Sequence, residues 1–454
     1  MKNLQEILEP HPLTSLSGWF FDGENFPKPT RATFTLEQGI ITDIRELAEI
    51  SALQIPEDVL ILPGGIDLHV HGRDAYDVLP GDEGDQSYKE DSYTLSLALA
   101  QGGATYAMCM LNFKKIIETQ EQYDAQLRWM NSEQSHRKKP IMSLGAYVPI
   151  RPGSKPQVKN AWFKLFWKTF GGTNFETDEQ VRETLRDYTD CRVKAHLETI
   201  AGMIDCPALP HHLQRPKEAA INATRMFLEC AEIYSFIPDC AHIGTAEEVK
   251  IIKQYRQYRE RGGVYRKATY EVTPQSLTLN HSTFEAATGL PVRWGQQNPP
   301  LRSYAEQQEF IREVDDAAVY ASDHAPHTIQ ENEKGISGMP QASTDGQVYL
   351  ENVSQGHSSL GSFVRRRSAN PGKLLEQQFG LKMGQFNTGY DAAFTLVSLG
   401  KPSRIRDIDV LSKCGWTPYN NWQFSNTIEG VIVNGMLYTQ AALQKLRQNV
   451  PCMN

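Results

Sequence analysis

An α/β chain built on a (β/α)8 TIM barrel, flanked at both ends by β-rich segments, is the architecture this sequence predicts. Three observations carry it. Over the middle of the chain, strand-like apolar runs alternate with more polar, helix-length segments, the signature of parallel β–α units. Both ends read differently, as short β-rich runs between Gly, Asn and Asp turn signals. The length, 454 residues, exceeds one small core and suits a large domain with a smaller companion. The implied division is 1–62 for the N-terminal β-rich part, 63–380 for the barrel and 381–454 for the C-terminal β-rich part.

Taken in order, GWFFDGENF, ATFTLEQGIITDI and VLILP supply the opening β-rich segment. The first barrel strand is the run ILPGGIDLHV, in which Ile61, Leu62, Ile66, Leu68 and Val70 alternate loosely with smaller or polar residues. ATYAMCML, IMSLGAYVPI, AWFKLFW, RVKAHLE, DCAHIG and DAAVYASDH are further strand-like runs, each followed by a polar stretch of helix length. QFNTGYDAAFTLVSLG and GVIVNGMLY return to the β-rich character of the start. No internal repeat is evident.

Bulk properties narrow the function. The composition, 40% hydrophobic and 22% charged, is that of a globular protein, and a net charge of −8 argues against a broad nucleic-acid surface. No apolar run approaches the ~18 residues of a membrane span, and MKNLQEILEP lacks the apolar core of a signal peptide. The seven cysteines are scattered and form no CxxC pair, which argues against a disulfide framework and for a reducing, cytoplasmic compartment. Most of them read as small buried hydrophobes.

A barrel of this kind places its chemistry at the C-terminal ends of its strands. There the sequence has His69, His71 and Arg73, then Asn112, then Lys164 inside an otherwise apolar run, then His196 and Glu198, His242, and finally Asp323, His324 and His327. Alternate strand residues share a face, so His69 and His71 point one way and Val70 the other. Two divalent ions about 3.5 Å apart form a known hydrolytic device that holds a hydroxide and polarises the carbonyl it attacks. His69, His71 and Asp323 could hold one ion and His196 and His242 the other, and zinc suits so imidazole-rich a set. Lys164 reads in two ways: carboxylated by carbon dioxide, as an anionic ligand bridging both ions, or unmodified, its stem packed and its head reaching water. Bland readings stand beside the others too: His196 as a hydrogen-bonded core group, Asp323 as a helix cap, Arg73 as a surface ion pair, and Glu198 either orienting a ligand or facing solvent. His211 and His212 fall in a loop without assigned chemistry, and His11, His136, His281 and His357 read as surface residues. ENEKGISGMPQ, with Gly335 and Gly338, has the polar, glycine-bearing character of a closing loop, a character many ordinary loops share.

These residues resemble a known family. PGGIDLHVHGRD is similar to the opening metal motif of the amidohydrolase superfamily, and ASDHAPHT resembles the dihydroorotase signature. YKEDSYTLSLALAQGGATYAMCMLN resembles the family's second strand, and FKLFWKTFGGTNF the lysine segment of the dihydroorotase domain in the multifunctional animal pyrimidine enzyme. AHIGTAEEVKII, YEVTPQSLTL, QNPPLRS, CGWTPYNNW and VIVNGMLY follow in the family's order, so the resemblance runs from about residue 60 to the end. It implies a metal-dependent TIM barrel with a small β-sandwich domain assembled from both chain termini, and an activity, the reversible cyclisation of N-carbamoyl-L-aspartate to dihydroorotate in pyrimidine synthesis. By the same resemblance, His69, His71 and Asp323 bind a first zinc and His196 and His242 a second. Carboxylated Lys164 and a hydroxide bridge them, and Asp323 is the catalytic proton shuttle. Arg73, Asn112 and His327 hold the substrate carboxylate, with Asn298 a further substrate contact, and the assembly is a homodimer. The chain departs from the family pattern at Gly72 and Asp74 beside Arg73, at Phe113 after the asparagine, and at Gln275 and Ser276, where two histidines are common. The competing expectations are a cyclic amidohydrolase for a hydantoin, allantoin or related ureide, and a non-catalytic scaffold that kept the fold.

Overall fold

The computed structural model describes residues 4–46, 52–113, 117–167, 175–261, 268–316 and 318–448; part of the lysine segment, 168–174, and Cys452 lie outside them. Eight parallel strands run in sequence order around the centre: β1 (Gly65–Val70), β2 (Ala104–Cys109), β3 (Leu144–Ile150), β4 (Trp162–Phe166), β5 (Arg192–His196), β6 (Ile237–Cys240), β7 (Thr269–Val272) and β8 (Ala318–Tyr320). A parallel bridge between Val70 and His324 closes the ring, and the His71 N–H donates to the His324 carbonyl at 2.8 Å. The barrel therefore closes beside the segments that carry His71 and Asp323.

Alternation along the strands decides what fills the interior. Trp162 and Phe166 of β4 pack inside with Ile66, Leu68, Tyr106 and Tyr147, whereas Phe163 and Leu165 face the helix layer. Each large apolar side chain fully buried there contributes about 2 kcal/mol. The same phase turns Lys164 inward, where an unpaired charge is costly. In β1 the register slips between Asp67 and Val70. Such an irregularity re-aims side chains: Leu68 still packs inside, Val70 joins the outer cluster, and His69 and His71 are presented to the cavity.

Both ends of the chain build one nine-stranded sheet. Leu60–Pro63 pairs parallel with Ser15–Phe20 and antiparallel with Phe394–Ser398, so it joins the N-terminal and C-terminal strands. Phe20, Phe34, Phe386 and Phe394 form its aromatic core, with Phe20 stacked on Phe34 at 4.0 Å. A barrel with a small β domain from both ends is thus what forms. No disulfide joins the six described cysteines, of which Cys109, Cys230 and Cys240 are buried. No helix among the described residues is long and apolar enough to cross a membrane.

Candidate metal centre and anion pocket

A cavity of about 490 Å3 opens at the C-terminal ends of the strands, and all ten residues singled out for the site line it. The first group is compact. Ligand atoms of His69, His71 and Asp323 lie within 4.8 Å of one another, with Asp323 Oδ1 at 3.3 Å from His69 Nε2 and 3.2 Å from His71 Nε2. Buried Asp67 ties their strands together, its Oδ1 accepting the N–H of His69 at 3.0 Å and of Ser322 at 3.1 Å. The second group adjoins the first: His196 Nδ1 is 3.1 Å from His242 Nε2, and the rings of His69 and His242 are 5.2 Å apart.

Asp323 and His242 both have left-handed backbones, with φ of +49° and +37°. Non-glycine residues hold that conformation when surrounding structure enforces it, commonly at functional sites. Asp323 is therefore no helix cap. His324 turns away from the cavity: its Nδ1 accepts the amides of Gln341 and Ala342, and its Nε2 lies 3.3 Å from Glu90 Oε2.

Buried, unpaired polar atoms show what the cavity is shaped to hold. Lys164 Nζ and His242 Nδ1 are buried without a hydrogen-bond partner. Burial lowers the Lys164 amine to about 7 although Glu271 pulls the other way, and Lys194 adds to the lowering. Burial likewise pushes His69 and His242 well below the usual histidine range, leaving neutral imidazoles with free lone pairs. Burial pulls Asp323 toward the neutral acid, but His69 and His71 outweigh it and keep the carboxylate ionised. Neutral imidazoles, an ionised carboxylate and an orphaned amine are a donor set that fits a divalent metal ion.

Another wall of the cavity is cationic. Arg73 is 5% exposed, which removes the surface ion-pair reading, and its Nη2 is 3.2 Å from His327 Nε2. Burial lowers the Arg73 guanidinium to about 10, still charged at neutral pH, and lowers His327 to about 4, hence neutral. Asn112 Oδ1 lies 3.3 Å from His71 Nδ1, which places the asparagine between metal group and anion wall. Asn298 also lines the cavity. Residues 334–339 of the glycine-bearing loop cover this wall. Gly338, at φ +139°, lies so close that a Cβ would stand 2.7 Å from His327 Cδ2.

Several participants escaped sequence reasoning. Lys89 Nζ pairs with Glu331 Oε1 at 2.7 Å, and Glu331 Oε2 approaches His327 Nδ1 at 3.4 Å. Trp416 Nε1 donates to the His327 carbonyl at 2.9 Å, bracing the anion wall from the C-terminal segment. Glu271 and Lys194 are buried behind His69. Lys194 was open to discovery, because it shares the signature that singled out Lys164, a lysine inside an apolar strand. Glu198 is fully buried against His196 and does not face solvent. One surface assignment also changes: the His136 side chain is 12% exposed and packs on Trp129 near Asp74. His281 stays partly exposed, stacked on His212 at 3.9 Å. Of the residues departing from the family pattern, Phe113 and Gln275 line the cavity.

No protein-family profile matches the chain. Among curated proteins it is similar to the dihydroorotase of Pyrococcus furiosus, 29% identical over 406 residues that cover 88% of this chain and 87% of that one. The dihydroorotase of Methanothermobacter thermautotrophicus is 28% identical over 400 residues, 83% of each chain. Among solved structures, a dihydropyrimidinase from Brevibacillus agri superposes with a TM-score of 0.75 at 19% identity, covering 94% of this chain and 95% of that one. The L-hydantoinase from Arthrobacter aurescens gives 0.76 at 16% identity, covering 94% and 96%.

Proposed function

We infer that this chain, a homologue of the dihydroorotases, is itself a metal-dependent cyclic amidohydrolase that reversibly cyclises N-carbamoyl-L-aspartate to dihydroorotate. One observation carries the reading: a single cavity is lined both by the His69, His71 and Asp323 cluster and by Arg73, Asn112 and His327. The first group suits an amide under attack, and the second suits a carboxylate that hydantoins lack.

In this reading His69, His71 and Asp323 hold one zinc ion, His196 and His242 a second, and Lys164, as its N6-carboxylate, both. Bound there, the two ions would polarise the substrate carbonyl and make water a nucleophile at neutral pH. The protein supplies position and protons. Arg73 grips the substrate carboxylate through two parallel hydrogen bonds, with Asn112 and His327 completing its coordination and Asn298 meeting the ring. In hydrolysis Asp323 takes a proton from the attacking water and delivers it to the ring nitrogen as the C–N bond breaks. In synthesis it takes the proton from the carbamoyl nitrogen and returns it as water departs. A cytoplasmic homodimer serving pyrimidine synthesis completes the reading.

Loss of dihydroorotate absorbance on adding zinc-loaded protein tests it. Wild type should hydrolyse dihydroorotate, and Asp323→Ala should lose at least about a hundredfold in kcat. Hydrolysis of a hydantoin but not of dihydroorotate would move the protein to the hydantoinases. Two bound zincs' worth of metal without activity on either substrate class would overturn the reading.

A further inference from the structure

Two of the proposed metal-binding histidines are each held from behind by a carboxylate that is itself held by a cation. His69 Nδ1 lies 2.7 Å from Glu271 Oε2, while Glu271 Oε1 takes the Lys194 ammonium. Lys194 also reaches Asp239 Oδ2 at 3.2 Å and the Leu68 carbonyl at 3.3 Å. In the adjoining group, His196 Nε2 lies 2.8 Å from Glu198 Oε2, and that same oxygen binds Arg215 Nη1. Lys194, Glu271 and Glu198 are 0% exposed.

The two chains enter their rings at opposite nitrogens. A neutral imidazole has one N–H and one lone pair, so a carboxylate behind one nitrogen leaves the lone pair on the other. His69 thus keeps its lone pair on Nε2, the atom 3.3 Å from Asp323. His196 keeps its lone pair on Nδ1, the atom 3.1 Å from His242. Both free lone pairs face the cluster.

We propose that Lys194 and Arg215 are positioning residues, each locking the carboxylate that sets the tautomer of one metal-facing histidine. A carboxylate no longer held by its cation can rotate to any donor within reach, and the ring behind it loses its fixed proton. The burial of Lys194 supports a role beyond packing, because an apolar side chain would fill the same layer without the desolvation cost of an ammonium and its carboxylates. The inference deepens the metal-centre reading and rests on it for its purpose, while the tautomers themselves can be observed without metal.

The test uses full-length, metal-free protein labelled with 15N-histidine at constant neutral pH, with His69→Asn and His196→Asn to assign signals. Wild type should show His69 protonated at Nδ1 and His196 protonated at Nε2. Lys194→Met should turn His69 into a tautomer mixture and leave His196 unchanged; Arg215→Met should do the converse, so each variant controls for the other. Zinc titration against a chromophoric chelator should then show each variant losing about tenfold or more in affinity for one ion only. Should Lys194→Met not fold, Glu271→Gln, of the same shape, is expected to release His69 alike. Unchanged tautomers in the variants, or equal disturbance of both rings by either one, would overturn the proposal. Opposite tautomers in the wild type would overturn it too, whereas the expected tautomers in a wild type that binds no zinc would overturn the metal-centre reading instead.

Discussion

Arg73 occupies a position where charge alone does not suffice. Its guanidinium reaches Gln86 Oε1 at 3.3 Å and His327 at 3.2 Å, which fixes the plane that would meet a carboxylate. A lysine carries the same charge on a single rotatable point and cannot make paired parallel bonds. Arg73→Lys should therefore raise KM for dihydroorotate about tenfold while kcat changes less, as steady-state kinetics will show. An equal fall in kcat with KM unchanged would place Arg73 in the chemistry rather than in binding. At this scale the sequence was most legible where a polar residue interrupts an apolar strand end, as His69, Lys164 and His196 do. It was least legible where two ionisable residues depend on each other across strands. Glu271 is unremarked because its partners, His69 and Lys194, lie 202 and 77 positions away.

The segment after β1 shows how an element holds a site residue in place. Asp74 follows Arg73 directly and gathers three other parts of the chain. Its carboxylate accepts the Trp129 indole N–H at 2.9 Å and the Ser92 hydroxyl at 2.9 Å, and it pairs with the Arg137 guanidinium. Burial raises its pKa, but His136, Arg137, Trp129 and the Ser92 amide outweigh that and bring it from 3.8 down to about 2. A carboxylate depressed by folding contributes stability that is full above its unfolded pKa and lost as pH falls through the folded one. The shift corresponds to about 2 kcal/mol. The stability gap between wild type and Asp74→Asn, from denaturant unfolding, should be constant above about pH 5 and shrink by about that amount toward pH 2. A gap indifferent to pH would mean that Asp74 acts through shape alone. Among elements, β7 is the barrel strand that escaped sequence reasoning. It has four residues, its centre carries Glu271, and no alternation can be read over so short a span. The β1 register slip was equally hidden, because it depends on how β1 meets its neighbour.

For the whole molecule, the alternation of strand and helix was enough to indicate a barrel, but the joining of the two chain ends was not. Leu60–Pro63 meets Phe394–Ser398 across more than 330 positions, and nothing local in either run names its partner. That pairing has an energetic consequence. Pro63 ends the strand shared with the terminal sheet and Gly65 begins β1, so the sheet and the barrel's metal-facing strand are separated by one residue. Ser412 and the Lys413 amide bind Glu90, which holds His324 next to Asp323, a second link from the C-terminal part to the site. Sheet and barrel should therefore unfold together. A ligand that binds only the folded site stabilises the whole cooperative unit by RT ln(1 + [L]/Kd), about 2.7 kcal/mol at a hundred times Kd. Zinc added to chelator-stripped protein should raise the midpoint of a single calorimetric transition, progressively with concentration. His71→Asn should remove most of that rise, because it withdraws one ligand from the tighter group. Two separate transitions, with only one responding to zinc, would show that the terminal sheet stands apart from the site despite the shared strand.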